Sequence, residues 1–245
     1  VRAVAARGPR IRSILTERAA ISAKLGDLGG RRWRQLLPLM RRGYRMADHV
    51  VAVSEDLAVE VREHLRLPPE RVCAIYNPVV GPDFDGEAGA PLEDPWFAPG
   101  QPPVVLSAGR IAAQKDFDTL LRAFAAVRAE RPCRLVILGK NNDGRTHLAR
   151  RDRLLAEAAA LGVADDVQLP GFALNPFPHM ARAAVFVLSS RYEGLPGALI
   201  QAMACGTPVV APVGPTGPRE TLAGGRCGRL LPIGDVPAMT AALRE

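Results

Sequence analysis

The chain has 245 residues, of which 48% are hydrophobic, 5% aromatic and 23% charged. That composition excludes a disordered or collagen-like chain and a disulfide miniprotein, and it suits one to two globular domains. The net charge of +7 is unevenly placed: residues 1–47 hold twelve Lys or Arg against Glu17 and Asp27, so this first fifth carries +10 and the remainder −3.

Val1 is not an initiator methionine, and Glu245 falls inside an amphipathic pattern, so the chain is expected to be a piece of a longer protein. No apolar run approaches the roughly 20 residues that span a bilayer, and no signal-peptide pattern opens the chain, so an integral membrane protein is not expected. From Arg31 to Arg45, cations are interleaved with Trp33, Leu36, Leu37, Leu39, Met40 and Tyr44. Two readings stand level here. The stretch could lie on an anionic membrane or grip phosphates, or it could be a surface helix whose arginine stems cover a domain edge. No nucleic-acid partner is expected, because no motif of that repertoire accompanies the charge.

From residue 50 the pattern is strand, turn, helix, repeated. Val50–Val53 is a short buried run; Ser54 then suits an N-cap, with Glu55 and Asp56 in the first turn of a helix ending near Arg66, before Pro68-Pro69. Val72–Tyr76 reads as a strand stopped at Asn77-Pro78. Residues 79–103 are rich in Pro, Gly and acids, lack periodicity, and form the best domain boundary, giving units of 1–100 and 101–245. After it, strands are expected at Val104–Ala108, Leu135–Leu138, Val167–Leu169, Val185–Leu188 and Val209–Ala211. Helices are expected from Phe117 to about Val127, over 148–161, at Pro176–Ala183 and over 196–205. Strands apolar throughout, alternating with helices, imply an α/β fold with a parallel sheet covered on both faces. Ligands in such sheets bind beyond the carboxyl ends of the strands.

Three of the loops at those ends carry suggestive residues. Gly109–Lys115 places Arg110 and Lys115 after the first strand. Ser189–Gly197 runs Ser-Ser-Arg-Tyr-Glu-Gly-Leu-Pro-Gly into a helix. Gly214–Glu220 is a third Gly/Pro-rich turn. A glycine-rich turn feeding a helix presents unpaired amides and a positive dipole end, and with arginine and lysine opposite it would hold a diphosphate. Each piece alone has a plainer explanation: Arg110 and Lys115 as solvated cations, Gly194 and Pro196 as helix-start punctuation, Glu193 as an acid at a helix N-terminus. Their order and register raise the diphosphate reading above these.

The series Gly-Arg-x4-Lys at 109–115, Ser-Ser-x-Tyr-Glu-Gly-Leu-Pro at 189–196 and Ala-Met-Ala-Cys-Gly-Thr-Pro-Val-Val at 202–210 resembles the donor half of the family 4 (group 1) retaining glycosyltransferases. Ala47–Ser54 and Ile75–Pro78 resemble the end of that family's first domain and its interdomain link. The resemblance implies a GT-B fold: a Rossmann-like donor domain, here with an incomplete N-terminal Rossmann-like domain that is the remnant of the acceptor side. It implies transfer of a sugar from a nucleotide-diphosphate donor to a glycan or lipid-linked acceptor with retention of configuration, without metal or other cofactor. The absence of an acidic pair or His cluster accords with this, His49, His64, His147 and His179 being far apart and read as core or surface residues.

In that resemblance Arg110 and Lys115 neutralise the leaving diphosphate, a form of electrostatic catalysis, and Glu193 contacts the transferred sugar. Gly109, Phe172, Gly194, Leu195, Pro196, Gly197, Leu199 and Gln201 complete the donor-binding set. For Phe172 itself a buried core aromatic is the expected use. Asn175-Pro176 reads as an N-cap with proline following, and Glu220 as structural. The second acid of the family's Glu-x7-Glu element falls on Gln201. A hydrogen bond to a charged group is worth about 1.5–3 kcal/mol against about 0.5–1.5 for a neutral one, so donor binding is expected roughly tenfold weaker than with Glu. The Gly139–Gly144 loop also departs from the family's tighter Gly-x-Gly.

Cys73, Cys133, Cys205 and Cys227 never fall into a CxxC pair, a spacing that favours reduced thiols in a cytoplasmic setting over a zinc site or a disulfide framework. Peripheral attachment to the inner membrane face through 31–45 accompanies it under the first of the two level readings of that stretch, and the resemblance implies a role in cell-envelope glycan synthesis. The alternative is a nucleotide-sugar-binding or membrane-docking module without its own catalysis. An epimerase or phosphorylase of the same architecture ranks below both, and a dehydrogenase is disfavoured because no GxGxxG follows a strand.

Overall fold

Successive residues of a strand point to opposite faces, so a run that is apolar throughout must be covered on both. In the computed structural model, which describes residues 12–26, 30–139 and 145–245, the second part of the chain meets that requirement. Its strands are β4 (Val104–Ala108), β5 (Arg134–Leu138), β6 (Val167–Gly171), β7 (Val185–Val187), β8 (Val209–Pro212) and β9 (Arg229–Leu231). Leu135 and Ile137 enter one core with Phe124, Leu120 and Met239. Val136 and Leu138, the alternate residues, enter the other with Met180, Phe186 and Leu199. Helices α5 (Phe117–Arg128), α6 (Arg145–Ala160) and α10 (Val236–Arg244) contribute to the first core, α7 (Phe177–Arg182) and α8 (Gly197–Ala204) to the second.

All pairings in this sheet are parallel and the strand order is β6-β5-β4-β7-β8-β9. The chain thus winds outward from β4 to β6, returns beside β4 as β7, and winds the other way. This is the 3-2-1-4-5-6 order of a doubly wound Rossmann sheet, whose crevice lies where the order reverses, here beyond the ends of β4 and β7.

The chain divides into two compact units. The larger comprises Pro78–Arg191, Gly197–Val213 and Leu222–Glu245; the smaller comprises Val1–Asn77, Tyr192–Pro196 and Gly214–Thr221. In the smaller unit β2 (His49–Ala52) lies between β1 (Ile14–Glu17) and β3 (Val72–Ala74), all parallel. Around them lie α1 (Ile21–Gly26), α2 (Gly30–Arg45), α3 (Glu55–Leu65) and the short α9 (Pro218–Thr221). Ser54 caps α3, its hydroxyl accepting from Leu57 N at 3.3 Å. The basic stretch is helical through Pro38 as α2. It is anchored by the buried Tyr44, whose hydroxyl donates to the Glu17 carboxylate, and by Leu37 and Met40 against the core. Burial first, then Glu17, pushes the Tyr44 pKa above its ordinary value.

Residues 79–103 have more order than their pattern indicates. They carry α4 (Phe84–Ala88), and their aromatics pack singly rather than at a helical or strand period. Phe84 meets Phe177 edge-on at 5.1 Å, Phe97 meets His179 at 5.3 Å, and Arg134 lies 4.7 Å over Trp96. Among the described residues, no helix is long and apolar enough to cross a membrane, and the four cysteines are unpaired.

Candidate active site

Three strands that end side by side build the floor of the crevice. Gly109 N donates to Leu138 O and Gly139 N to Gly171 O, both at 2.8 Å, so the chain leaves β4, β5 and β6 at one level. A Cβ on Gly139 would collide with the Gly109 carbonyl oxygen, so only glycine permits this approach. Residues 140–144, the rest of the loop that departs from the family pattern, lie outside the described residues.

Beyond Gly109 the chain turns through Ala113–Lys115 into α5. Lys115 is half-buried and lays its stem across Gly109: a Cβ there would lie 2.9 Å from Lys115 Cε and 3.4 Å from Nζ. The ammonium is therefore held at the mouth of β4 because residue 109 has no side chain. Arg110, next in the chain, is exposed, and among the described residues no ion pair to it is found.

The loop after β7 is fastened to this turn. Ser189 Oγ donates to Lys115 O at 2.6 Å, Arg191 N donates to Gln114 O at 2.8 Å, and Arg191 Nε reaches Asp116 Oδ2 at 3.2 Å. The structure therefore joins the two loops that flank the reversal of strand order. Asp116, 4% exposed and in the left-handed conformation (φ 48°, ψ 43°), was not among the sequence-predicted site residues. Its signal was the acid between Lys115 and the first helical residue, which reads simply as a cap.

Glu193–Pro196 belong to the smaller unit, where their main chain is held on three sides. Ser54 Oγ donates to Gly194 O at 2.8 Å, Thr216 Oγ1 donates to Glu193 O, and a Cβ on Gly194 would strike the Arg18 carbonyl. Glu193 is buried, at 9% exposure, as is Pro196, while Leu195 packs against that unit's core. Gly197 opens α8 in the larger unit. The Leu199 side chain is wholly buried in the core, so only its backbone faces any ligand. Gln201 Nε2 lies 3.5 Å from Val79 O, at the limit of a hydrogen bond.

Two expectations for neighbouring residues are settled. Phe172, for which a core was the expected use beside its place in the donor-binding set, is 69% exposed and so not a core residue, because Gly171 (φ 100°) turns the chain off the sheet before it. Glu220 is structural: its carboxylate accepts from Glu55 N (3.1 Å) and Asp56 N (2.8 Å) at the start of α3 and from the Tyr76 hydroxyl. Burial and then Glu220 push the Asp56 pKa up, and the bond to Glu220 raises that of Tyr76 to about 12. Among the described residues no group of three His, Cys, Asp or Glu is placed to hold a metal ion.

A doubly wound sheet with paired loops at its switch point is the donor-domain architecture of GT-B glycosyltransferases, and the chain has that fold. The family model "Glycosyl transferases group 1" matches residues 102–245, and "Glycosyltransferase Family 4" matches residues 1–80; the chain belongs to this family of glycosyltransferases. It is similar to Anabaena Alr3699/HepE, solved in complex with UDP, with a TM-score of 0.74 at 20% identity over 96% of this chain and 62% of that one. It is 31% identical over 220 residues to the D-inositol 3-phosphate glycosyltransferase of Streptomyces coelicolor, covering 81% of this chain and 47% of that protein. It is 27% identical over 201 residues to the N-acetylgalactosamine-N,N'-diacetylbacillosaminyl-diphospho-undecaprenol 4-alpha-N-acetylgalactosaminyltransferase of Campylobacter jejuni, covering 82% of this chain and 51% of that protein. The chain spans about half the length of these curated relatives.

Proposed function

We propose that this chain carries the donor-binding half of an enzyme that transfers a sugar from a nucleotide-diphosphate sugar to a glycan or lipid-linked acceptor. The observation that carries the reading is Lys115: its ammonium is held over Gly109 at the mouth of β4 by a turn bonded to the loop after β7. In this reading Arg110 and Lys115 meet the diphosphate. Negative charge grows on the departing phosphate as the glycosidic bond breaks, and cations already in place stabilise that charge without reorganising. Glu193 takes the hydroxyls of the transferred sugar, the amides from Gly194 to Gly197 approach the phosphates, and Gln201 takes the ribose. With two cations supplying the leaving-group stabilisation, transfer is proposed to need no metal, and the resemblance to the retaining family is the ground for proposing that configuration is retained.

Anabaena Alr3699/HepE is solved with UDP and with UDP-glucose, which supports a uridine diphosphate donor. The Campylobacter relative's name specifies a diphospho-undecaprenol acceptor, which supports a lipid-linked one for this chain. With a membrane-borne acceptor, the protein is proposed to work at the cytoplasmic membrane face.

The test uses the intact protein with radiolabelled UDP- and GDP-sugars, lipid-linked and free glycan acceptors, and excess EDTA. Transfer that survives EDTA, keeps the donor's anomeric configuration and falls roughly 100- to 1,000-fold in Lys115→Met is expected. Donor binding with neither transfer nor hydrolysis would establish a binding module in place of a transferase.

A further inference from the structure

The helix α2 and the end of α3 form a feature that donor chemistry does not use. Pro38, Arg41, Arg42, Arg45 and Met46 line a surface hollow with Arg66, the residue that closes α3 in the left-handed conformation. Four arginines thus line one concavity, and among the described residues no acid lines it. Residues 30–45 contain no acid at all. One arginine is fixed by the fold: Arg41 donates Nε to the His64 carbonyl at 2.9 Å. Burial, then Arg66 and Arg45, lowers the Arg41 pKa from its ordinary value, as expected where like charges crowd.

The same side of α2 is apolar between its cations. Leu37, Met40 and Tyr44 turn inward, whereas Leu36, Leu39, Arg42, Arg45 and Met46 turn outward at helical spacing. Leu39 is 67% exposed and Met46 48%. A phosphate ligand or a nucleic acid gains from the arginines but nothing from the exposed apolar surface of Leu39 and Met46. A bilayer surface gains from both, through anionic headgroups at the cations and acyl chains at the apolar tips.

We infer that the outward face of α2, with Arg66, docks the protein on anionic phospholipid, with Arg41, Arg42, Arg45 and Arg66 on headgroup phosphates and Leu39 and Met46 in the interface. Bidentate guanidinium–phosphate contacts fix the helix flat on the surface rather than across the bilayer. The inference goes beyond the transfer chemistry and does not need it, so the two fail separately.

The test is vesicle co-sedimentation of the intact protein without donor or acceptor. Phosphatidylcholine vesicles are compared with ones containing roughly one-third phosphatidylglycerol. Binding to the anionic vesicles that weakens as salt rises is expected. Each arginine removed should cost about fivefold in partitioning, so Arg42→Gln/Arg45→Gln/Arg66→Gln should lose roughly two orders of magnitude. Leu39→Gln/Met46→Gln should weaken binding severalfold at unchanged salt dependence. The control Arg226→Gln/Arg229→Gln/Arg244→Gln removes as much charge from exposed sites of the other unit and should bind as the parent does. Arg42→Gln alone, at an exposed position, serves if the triple variant does not fold. Three results would overturn the inference: binding indifferent to phosphatidylglycerol, binding undiminished in the arginine variants, or tighter binding to inorganic phosphate or an RNA duplex than to the vesicles.

Discussion

Arg191 bridges two loops through both its main chain and its side chain: its amide donates to Gln114 O at 2.8 Å and its Nε to the buried Asp116 carboxylate at 3.2 Å. The pair closes the turn that ends in Lys115 against the loop leaving β7, at the point where the strand order reverses. Asp116 is enclosed while Arg191 is 61% exposed on its side chain, so solvent screens the pair on one side and its worth lies more in position than in Coulomb energy. The flanking bond from Ser189 Oγ to Lys115 O acts in the same sense.

Asp116 holds a left-handed conformation that Asn adopts more readily than Ala, which meets it only at a cost of roughly 1–2 kcal/mol. Asp116→Asn is expected to cost about 1 kcal/mol or less in urea unfolding and to raise the donor KM. Asp116→Ala, which adds backbone strain and removes the acceptor, is expected to cost about 1–3 kcal/mol. Equal losses in the two variants would show that the conformation at 116 is not what holds the turn.

Two glycines at the crevice floor should respond to a methyl group for different reasons. At Gly109 the obstruction is the far end of the Lys115 side chain, which can swing away, but its φ of 157° strains any residue with a Cβ, so Gly109→Ala should cost about 1–3 kcal/mol through the backbone and bind donor poorly. At Gly139 the obstruction is the Gly109 carbonyl, which cannot move alone, so Gly139→Ala should lose about 1–3 kcal/mol or more. Thermal unfolding and donor titration of both variants separate the two cases.

Five strands of the larger sheet were legible because they are largely apolar on both faces and β4, β5 and β6 end at or just before a glycine, as at Gly109, Gly139 and Gly171; the sixth, β9, was not, being three residues long with the exposed Arg229 at its start. β1 was not legible: Ile14–Glu17 offers two apolar residues in a basic stretch, and its pairing comes from β2, 35 residues on. Arg110, Lys115 and the Glu193 loop were marked by order along the chain. The bonds that fix them were not, because Ser54 lies 140 residues from Gly194 and Ser189 lies 74 from Lys115. Phe172 shows the reverse failure, for apolar character alone placed it in a core that the turn at Gly171 denies it.

Gln201, proposed to take the ribose, tests how much a charge matters at that position. Its amide nitrogen donates only a long bond, 3.5 Å, to Val79 O, so a carboxylate there forfeits little stability. Gln201→Glu is expected to leave donor preference intact and to change donor affinity by no more than about tenfold, read by isothermal titration. Complete loss of donor binding would show that residue 201 does not sit beside the nucleotide.

Glu220 ties the start of α3 to Tyr76, and this fixes an alkaline signature. The Tyr76 pKa is raised from 10.0 to about 12, chiefly by donating to Glu220, so the native state keeps this proton longer than the unfolded chain does. Its contribution to stability is therefore complete below pH 10 and fades as pH rises through about 12. Because Tyr76 is half exposed, the size is expected to be under about 1 kcal/mol. Urea unfolding of the parent and Tyr76→Phe should differ most near neutrality and converge above pH 12. Glu220→Gln keeps an acceptor for the α3 amides but loses the charge, so it should lower the Tyr76 pKa towards 10 while costing about 1 kcal/mol. Spectrophotometric titration of Tyr76 that is unmoved by Glu220→Gln would place the cause of the shift elsewhere.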